Sequence, residues 1–503
     1  MASPGFVEIE RKYDVDEDTA LPVLHELPRV RRVEQPVEYK LEAVYYDTED
    51  LVLASRRITL RRRTGGSDAG WHLKLPESGG RREFHEPLGE ESGGVPAPLL
   101  QLVRVHIRNG TLAPIARLET RRIVHSLRGD GDVHLADVSD DHVQAEALGP
   151  EPAGSRWREW EIELVDGPRE LLDAADALFA GAGVRAAAHD SKLQRALGSR
   201  KVPAMSPGPE PGPKAPAADV VLAYLHRQVS VLKEQDPLVR LDAPDSVHQM
   251  RLATRRLRSA LATHRKLLQD TTGPLRGELR WLARILGGAR DTGVIQQRLA
   301  AMLAVEDPAL VMGPVSRRLD IDLGHTYGEA RAAVLQALNA DRYYRLLDTL
   351  DALTAAPRAT KLGAKPAGTV LPKLVKRDFK RLRRAVKAAR RAPAGEDRDP
   401  LLHEARKCAK RLRFAAEAAL PVAPKHADRL SAAAHTVQDI LGEHQDSVVA
   451  RQLLRRLGAE SHGLGENGFT FGRLHGLEQA AAAESEAQFR RAWKKFPPAK
   501  LKK

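Results

Sequence analysis

The segment EIERK (Glu8 to Lys12) places Glu8, Glu10 and Lys12 at alternate positions near the start of a 503-residue chain. Side chains at i, i+2 and i+4 of a strand point to one face, so an extended EIERK carries two carboxylates and an ammonium on one side. Alone, such a triplet is an ordinary solvated strand face, and the segments that follow decide its meaning. EYKLEAVYYDT (Glu38 to Thr48), ITLRRR (Ile58 to Arg63), WHLKLP (Trp71 to Pro76), RIVHSLR (Arg122 to Arg128), DVHLADV (Asp132 to Val138) and WREWEIELVD (Trp157 to Asp166) also alternate with period 2. Clusters of Gly, Asp, Ser and Pro separate them, which predicts a largely antiparallel β domain. PRELLDAADALFAGAG (Pro168 to Gly183) reads as a helix within it.

Sorted by parity, each strand contributes charges to one face: Arg61 and Arg63; His72 and Lys74; Arg117, Arg121 and Arg122 around RLETRRI; Glu159, Glu161 and Glu163. The other parity carries Val7, Ile9, Leu60, Leu73, Trp160 and Ile162, as a strand with one face on an apolar layer requires. A sheet closed with these charges inward gathers acidic and basic groups in one lumen. Carboxylates there suit a hard divalent cation, and the Arg and Lys set suits phosphates, so the lumen fits a metal-bound triphosphate.

Composition narrows the partners. The formal charge of +13 favours an anion, whereas 4% aromatic residues disfavour a single-strand binder built on base stacking. The single cysteine, Cys408, leaves no internal disulfide framework and no cysteine-based zinc site. No apolar run reaches the length of a membrane span, and the N-terminus has no signal-peptide core, so a cytoplasmic protein with no membrane partner is expected.

VPAMSPGPEPGPKAPAAD (Val202 to Asp219) has prolines every few residues and little to bury. It sets the expected domains: 1–200, a Pro-rich linker over 201–218, and 219–503. Beyond it the period becomes 3.6 and the expectation all-helical. VHQMRLATRRLRSAL (from Val247) aligns without a gap on LHEARKCAKRLRFAA (from Leu402), an offset of 155 that also carries Leu286 and Gly287 of ILGGARD onto Leu441 and Gly442 of ILGEHQD, and Asp291 onto Asp446. A constant offset over this length indicates an internal duplication. His248, Arg251, Arg255 and Arg258 share one helix face, and His403, Arg406, Lys410 and Arg413 repeat it. Like charges at i,i+4 repel, so a bound polyanion explains the stripe better than helix stability does. KLVKRDFKRLRRAVKAARR offers a further basic face with Lys373, Lys376, Lys380 and Arg384. Asp399 before Pro400, and Asp245 with Ser246, are expected to cap the two repeated helices.

The E-x-E-x-K start, YYDT (Tyr45 to Thr48), LRRR, W-x-L-K and the late E-x-E-x-E together resemble the CYTH family, the triphosphate tunnel metalloenzymes, over about residues 5 to 198. The resemblance implies an α+β fold class for the whole chain, with an eight-stranded antiparallel β tunnel at its N-terminus, and a metal-dependent triphosphatase using Mg²⁺ or Mn²⁺. It implies metal ligands at Glu8, Glu10, Glu159 and Glu161 with one carboxylate of LADVSDD, which is Asp137, Asp140 or Asp141, and Asp137 is favoured. Glu163 is either a further ligand or a solvated strand end. Arg61, Arg63, Lys74, Arg117, Arg121 and Lys192 would bind the triphosphate, and Lys12 with Tyr45 would form the dyad that positions or deprotonates the attacking water.

The helical half, with H-x-x-R-x-x-x-[RK]-x-x-R in both copies, resembles the CHAD family, which implies two duplicated four-helix bundles and a basic cleft for inorganic polyphosphate. The implied whole is an inorganic triphosphatase tethered to a polyphosphate-binding domain that directs it to polyphosphate granules. Rivals are a nucleotide enzyme of adenylate cyclase or thiamine triphosphatase type, and a non-catalytic polyphosphate-binding protein with an inactive tunnel. Nucleic acid is disfavoured as a partner because no recognition motif accompanies the charge.

Overall fold

The computed structural model describes residues 5–77, 80–89, 94–149, 152–198, 210–269, 272–355, 359–393, 395 and 397–499. The chain divides into two compact units, Met1–Pro207 and Gly208–Lys503. Of the linker expected over 201–218, residues 201–209 lie outside the described residues, and Ala217 and Ala218 already begin a helix.

The first unit is a single antiparallel sheet. Its strands are β1 (Phe6–Glu8), β2 (Glu10–Val15), β3 (Arg32–Val33), β4 (Val37–Asp47), β5 (Thr59–Thr64), β6 (Gly70–Glu77), β7 (Gly80–Glu86), β8 (Ala113–Arg128), β9 (His134–Ala147), β10 (Ala153–Leu164) and β11 (Arg185–Ala186). They run in the order β1-β7-β6-β5-β4-β8-β9-β10-β2-β11, with β3 on β8. Eight of these strands have six residues or more, matching the expected eight; β1, β3 and β11 are additional pairings of two or three residues. The EIERK segment itself breaks at Ile9: β1 pairs with β7, while β2 pairs with β10. Because β1 and β2 are consecutive, the two ends of the sheet path are joined by the chain, and the sheet curls around a lumen.

Alternation explains both faces. Trp160 and Ile162 of β10, with Tyr13 of β2, pack outward against Leu171, Leu172, Ala175 and Phe179 of α2 (Glu170–Gly181), which follows α1 (Ala97–Ile107) along the chain. Glu159 and Glu161, at the opposite parity, face inward. Further along the lumen the inner positions turn apolar, and the short helix α3 (Lys192–Leu197) seats Leu193, Ala196 and Leu197 on Ala43, Tyr45, Ala116, Leu118, Val143, Ala145 and Trp157. This plug leaves a charged chamber on its N-terminal side.

The second unit contains α4 (Ala217–Arg240), α5 (Ser246–Thr263), α6 (Thr272–Ala304), α7 (Val315–Leu338), α8 (Asp341–Ala355), α9 (Ala367–Arg391), α10 (Asp399–Glu417), α11 (Pro424–Gly463) and α12 (Phe469–Lys494). Helices α4 to α7 form one run of sequential neighbours and α9 to α12 a second. These are the two expected four-helix groups. Helix α8, which the repeat did not announce, packs on α4, α6 and α7. The copies meet where α5 packs on α10 and α4 on α9. Their entry segments exchange reciprocal bonds, Ala217 N to Lys365 O and Ala367 N to Ala215 O, both 2.9 Å, as an approximate two-fold relation demands. Asp399 is the first residue of α10 rather than its cap, and its carboxylate meets Arg451 at 3.2 Å and His444 at 3.4 Å; Asp245 precedes α5 without a side-chain cap bond. No helix among the described residues is long and apolar enough to cross a membrane.

Candidate functional site: a charged tunnel and a cationic helix pair

Glu8, Glu10, Lys12, Tyr45, Arg61, Arg63, Lys74, Glu161, Glu163 and Lys192 line one chamber of about 120 Å³, together with Asp68, Glu83 and Arg122. The register explains the convergence: Lys12 pairs with Glu161, Glu10 with Glu163 and Tyr45 with Arg61, and directly paired residues of an antiparallel sheet share a face.

Oppositely charged groups interlock at one side of the chamber. The Lys192 ammonium lies 2.7 Å from Glu159 Oε1, 2.7 Å from Glu161 Oε1 and 2.8 Å from Asp141 Oδ2. Arg122 Nε meets Asp141 Oδ1 at 2.8 Å, and its Nη2 bridges Asp141 Oδ2 and Glu161 Oε2 at 2.6 Å each. Lys12 Nζ meets Glu10 Oε2 at 3.0 Å and also contacts Glu161, while Lys74 contacts Glu8. Burial opposes the charge of Glu161, yet Lys12, Lys192 and Arg122 hold its carboxyl well below the usual range. Glu10 is likewise held low against burial by Lys12. At Glu163 the opposing Lys74 does not suffice: burial, reinforced by Glu8 and Glu10, pushes it up to about 7.

Lys12 is buried, which disfavours its charge, but Glu10 and Glu161 hold it above the usual lysine value. It is therefore an ammonium at neutral pH, which fits the positioning role expected of the Lys12–Tyr45 dyad and not proton abstraction by the lysine. Burial also acts against the Tyr45 phenolate, and Arg61, 3.4 Å from its hydroxyl, outweighs that and lowers the pKa. Arg61 Nε and Arg63 Nε are buried donors with no partner. Burial and the neighbouring Arg61 and Arg122 act together against the charge of Arg63.

Three residues expected in the chamber lie elsewhere. Arg117 and Arg121 are exposed, the latter paired with Glu38 at 2.9 Å; Arg122 takes the inward place. The reason is the plug: on this stretch of β8 the apolar residues Ala116 and Leu118 face the lumen against α3, so the rule that the apolar parity faces out inverts. Asp137 shares the inner parity but sits where the strand leaves the chamber, bonded to Ser126 Oγ at 2.6 Å and His134 Nε2 at 2.8 Å. Asp140 points outward to Arg158. Asp141, fully buried, is the carboxylate grouped with Glu159 and Glu161, the three offering oxygens within 4.8 Å of one another. Asp47 of YYDT is structural, accepting from the backbone N–H of Thr48, Leu53 and Ala54.

In the helical unit, His248, Arg251, Arg255 and Arg258 of α5 and His403, Arg406, Lys410 and Arg413 of α10 are all half-buried. Packing of α5 on α10 brings the two stripes together: burial, and then Arg255, Arg406, Arg251 and Arg413, push the Lys410 ammonium down to about 6. The repeated glycines make room for repeated arginines. A Cβ on Gly287 would lie 3.6 Å from Arg251, and one on Gly442 3.3 Å from Arg406. Arg413 is tied to Glu417 at 2.9 Å, which also receives Arg256 and the Tyr224 hydroxyl at 3.1 Å each. Burial lowers Arg258, helped by Arg280 and Arg276. Burial lowers His403 as well, with Lys407 and Arg406 adding to it and a bond to Gln445 opposing. Lys373, Lys376, Lys380 and Arg384 occupy the exposed face of α9, whereas Arg377 and Arg381 turn inward to Thr263 and the buried Asp378. The side chain of Asp291 lies outside the described residues.

A CYTH domain profile matches residues 7–195, and a CHAD domain profile matches residues 223–455. An uncharacterized protein of Mycobacterium tuberculosis (strain ATCC 25618 / H37Rv) is 40% identical over 512 residues, covering 98% of this chain and 97% of the relative, and its counterpart in strain CDC 1551 / Oshkosh matches equally. Among solved structures, the CHAD domain from the plant Ricinus communis is similar with a TM-score of 0.47 at 24% identity, covering 59% of this chain and 98% of that one. PptA from Streptomyces chartreusis gives 0.47 at 20% identity, covering 56% and 100%. A putative adenylate cyclase from Bacillus halodurans gives 0.26 at 16% identity, covering 38% and 98%.

Proposed function

Because the chain belongs to the CYTH family over its N-terminal unit and to the CHAD family over its C-terminal unit, we propose that it is a metal-dependent triphosphatase acting on inorganic triphosphate, joined to a helical module that binds inorganic polyphosphate. The observation that carries the first half is the polarity of the chamber, with three clustered carboxylates at one side and, at the other, Arg61 and Arg63 with buried donors lacking an acceptor. Unmatched buried donors cost free energy that an anion would recover.

The donor set fits a hard divalent cation such as Mg²⁺ or Mn²⁺: every candidate ligand is a carboxylate oxygen, and a cation, the Lys192 ammonium, already lies within 2.8 Å of Asp141, Glu159 and Glu161. Glu8, Glu10, Glu163, Asp141, Glu159 and Glu161 would hold it. When bound it would supply neutralisation of phosphate oxygens, the main requirement of phosphoryl transfer. Arg61, Arg63 and Lys74 bind and align the phosphates, and Arg122 and Lys192 fix the orientation of the acidic group. Lys12, kept as an ammonium, donates to a phosphate oxygen or to the attacking water. Tyr45 Oη, with its pKa lowered by Arg61, orients that water as a hydrogen-bond acceptor. Helix α3 excludes bulk water from the far end.

For the second half, the support is Lys410 among four arginines contributed by both copies, a concentration of positive charge that attracts a polyanion. The test is phosphate release by the purified chain with Mg²⁺, offered inorganic triphosphate, ATP, thiamine triphosphate and long-chain polyphosphate side by side. Release from inorganic triphosphate is expected. Preference for ATP or thiamine triphosphate would make it a nucleotide-type enzyme, and release from none with polyphosphate still bound would make it a binding protein.

A further inference from the structure

Strand β5 ends at Thr64 and β6 begins at Gly70, joined by GGSDA (Gly65 to Ala69). Gly65 and Gly66 both have φ of +76°, and a Cβ on Gly65 would lie 2.0 Å from the Lys40 carbonyl oxygen, so the turn is locked against β4 and admits only glycine there. The locked turn sends Asp68 back over the chamber, where it is one of the lining residues. Its carboxylate forms an ion pair with Arg63, and its carbonyl is bonded to His72 Nε2 at 2.9 Å. His72 Nδ1 is in turn bonded to Glu83 at 2.7 Å, and Glu83 faces Lys74 at 3.4 Å. The loop is thus tied to the same row of side chains that reaches Glu8.

The two partners of the ion pair are unequal. The Arg63 side chain is 7% exposed, whereas that of Asp68 is 55% exposed. The guanidinium is fixed in the wall, short of acceptors and repelled by Arg61 and Arg122; the carboxylate stands at the solvent edge and can swing away.

Resting on the reading of the chamber as a triphosphate site, we propose that Asp68 is a resident counter-anion of Arg63, which a terminal phosphate of the substrate must displace to bind. It sets an entry threshold for the chamber. An anion that bonds Arg63 no better than a carboxylate does not enter, whereas a doubly charged terminal phosphate, with three acceptor oxygens, exchanges for it.

The test uses the full chain with Mg²⁺ and imidotriphosphate, whose P–N–P bridges resist hydrolysis, with binding read by calorimetry. Asp68→Asn, and Asp68→Ala as a second variant without an acceptor, should bind it about fivefold tighter than wild type, the order expected for removing one partly exposed competing ion pair. The gain should vanish in the Arg63→Gln background, because there the aspartate has nothing to occupy. In turnover of inorganic triphosphate, the same variants should lower KM. Wild-type binding with no tightening in either Asp68 variant would overturn this proposal and leave the triphosphate reading standing; binding in neither wild type nor variants would overturn both. Binding only after Asp68 is removed would support it in its strongest form.

Discussion

Lys410 converts the packing of the two helical copies into a measurable proton. Burial and the guanidinium groups of Arg255, Arg406, Arg251 and Arg413 push it from 10.5 down to about 6. At pH 7.5 a group with that pKa is protonated in only about 3% of molecules. A polyanion laid against the cluster cancels the arginine field and returns the ammonium toward its usual value, so binding at pH 7.5 should take up about one proton at this site, and about half a proton at pH 6. Calorimetry of polyphosphate binding in two buffers of different ionisation enthalpy measures that uptake directly. Lys410→Arg keeps the charge but cannot titrate, so it should bind polyphosphate with about one proton less taken up. Equal uptake by wild type and Lys410→Arg would refute the reasoning. The sign carries over to stability. Between pH 6 and 10.5 the unfolded chain holds a proton that the folded chain lacks, so this site destabilises the fold there and the penalty shrinks as pH rises. Lys410→Met should accordingly melt higher than wild type at pH 7.

Three further outcomes follow from particular contacts. Asp141→Asn should lower metal-dependent phosphate release by about a hundredfold, as loss of a ligand or its supporting bond does, while Asp137→Asn, bonded only to Ser126 and His134 at the strand end, should leave it near wild type. Asp378→Ala should cost about 3 kcal/mol in urea unfolding, because the buried carboxylate serves Thr263, Arg381 and Arg411 at once. Gly287→Ala, with ordinary contact distance to Arg251, should stabilise its helix by about 0.5–1 kcal/mol in thermal unfolding, whereas Gly442→Leu should displace Arg406 and weaken polyphosphate binding in a titration.

The legible part of the fold was the part written as period. Alternation marked the long strands and identified Glu8, Glu10, Lys12, Glu159 and Glu161 as one inward set, and the offset of 155 paired Arg251 with Arg406 and Gly287 with Gly442 before their contact was visible. Parity failed where the environment changed along a single strand. On β8 the lumen holds an apolar plug beside Ala116 and Leu118 and a charged chamber beside Arg122, so no single rule assigns inside and outside along that strand. Asp137, Asp140 and Asp141 differ by one, three or four positions, and only the pairing of Asp141 with Glu159 selects among them. Asp68 left no periodic trace because it acts from a turn. Helix α8 lies outside the duplicated portion, so the repeat gave no signal for it.

The two units meet the same problem, an anionic ligand, with opposite charge balances. Seven cationic side chains line the tunnel chamber against six carboxylates, and Asp141 and Glu159 behind Lys192 bring the balance to seven against eight. A nearly neutral chamber gives a free triphosphate little net attraction, since Lys12, Lys74, Arg122 and Lys192 already hold carboxylates; an anion that arrives with divalent cations satisfies both halves of the interlocked set. Around Lys410 the four charges that act on it most strongly are all arginines, so a polyanion is attracted without any metal. Chelation should therefore separate the units: with EDTA present, imidotriphosphate binding should be lost while polyphosphate binding persists and weakens only with added salt. Parallel loss of both would contradict this assignment of charge, because the charges that act most strongly on Lys410 are all cations.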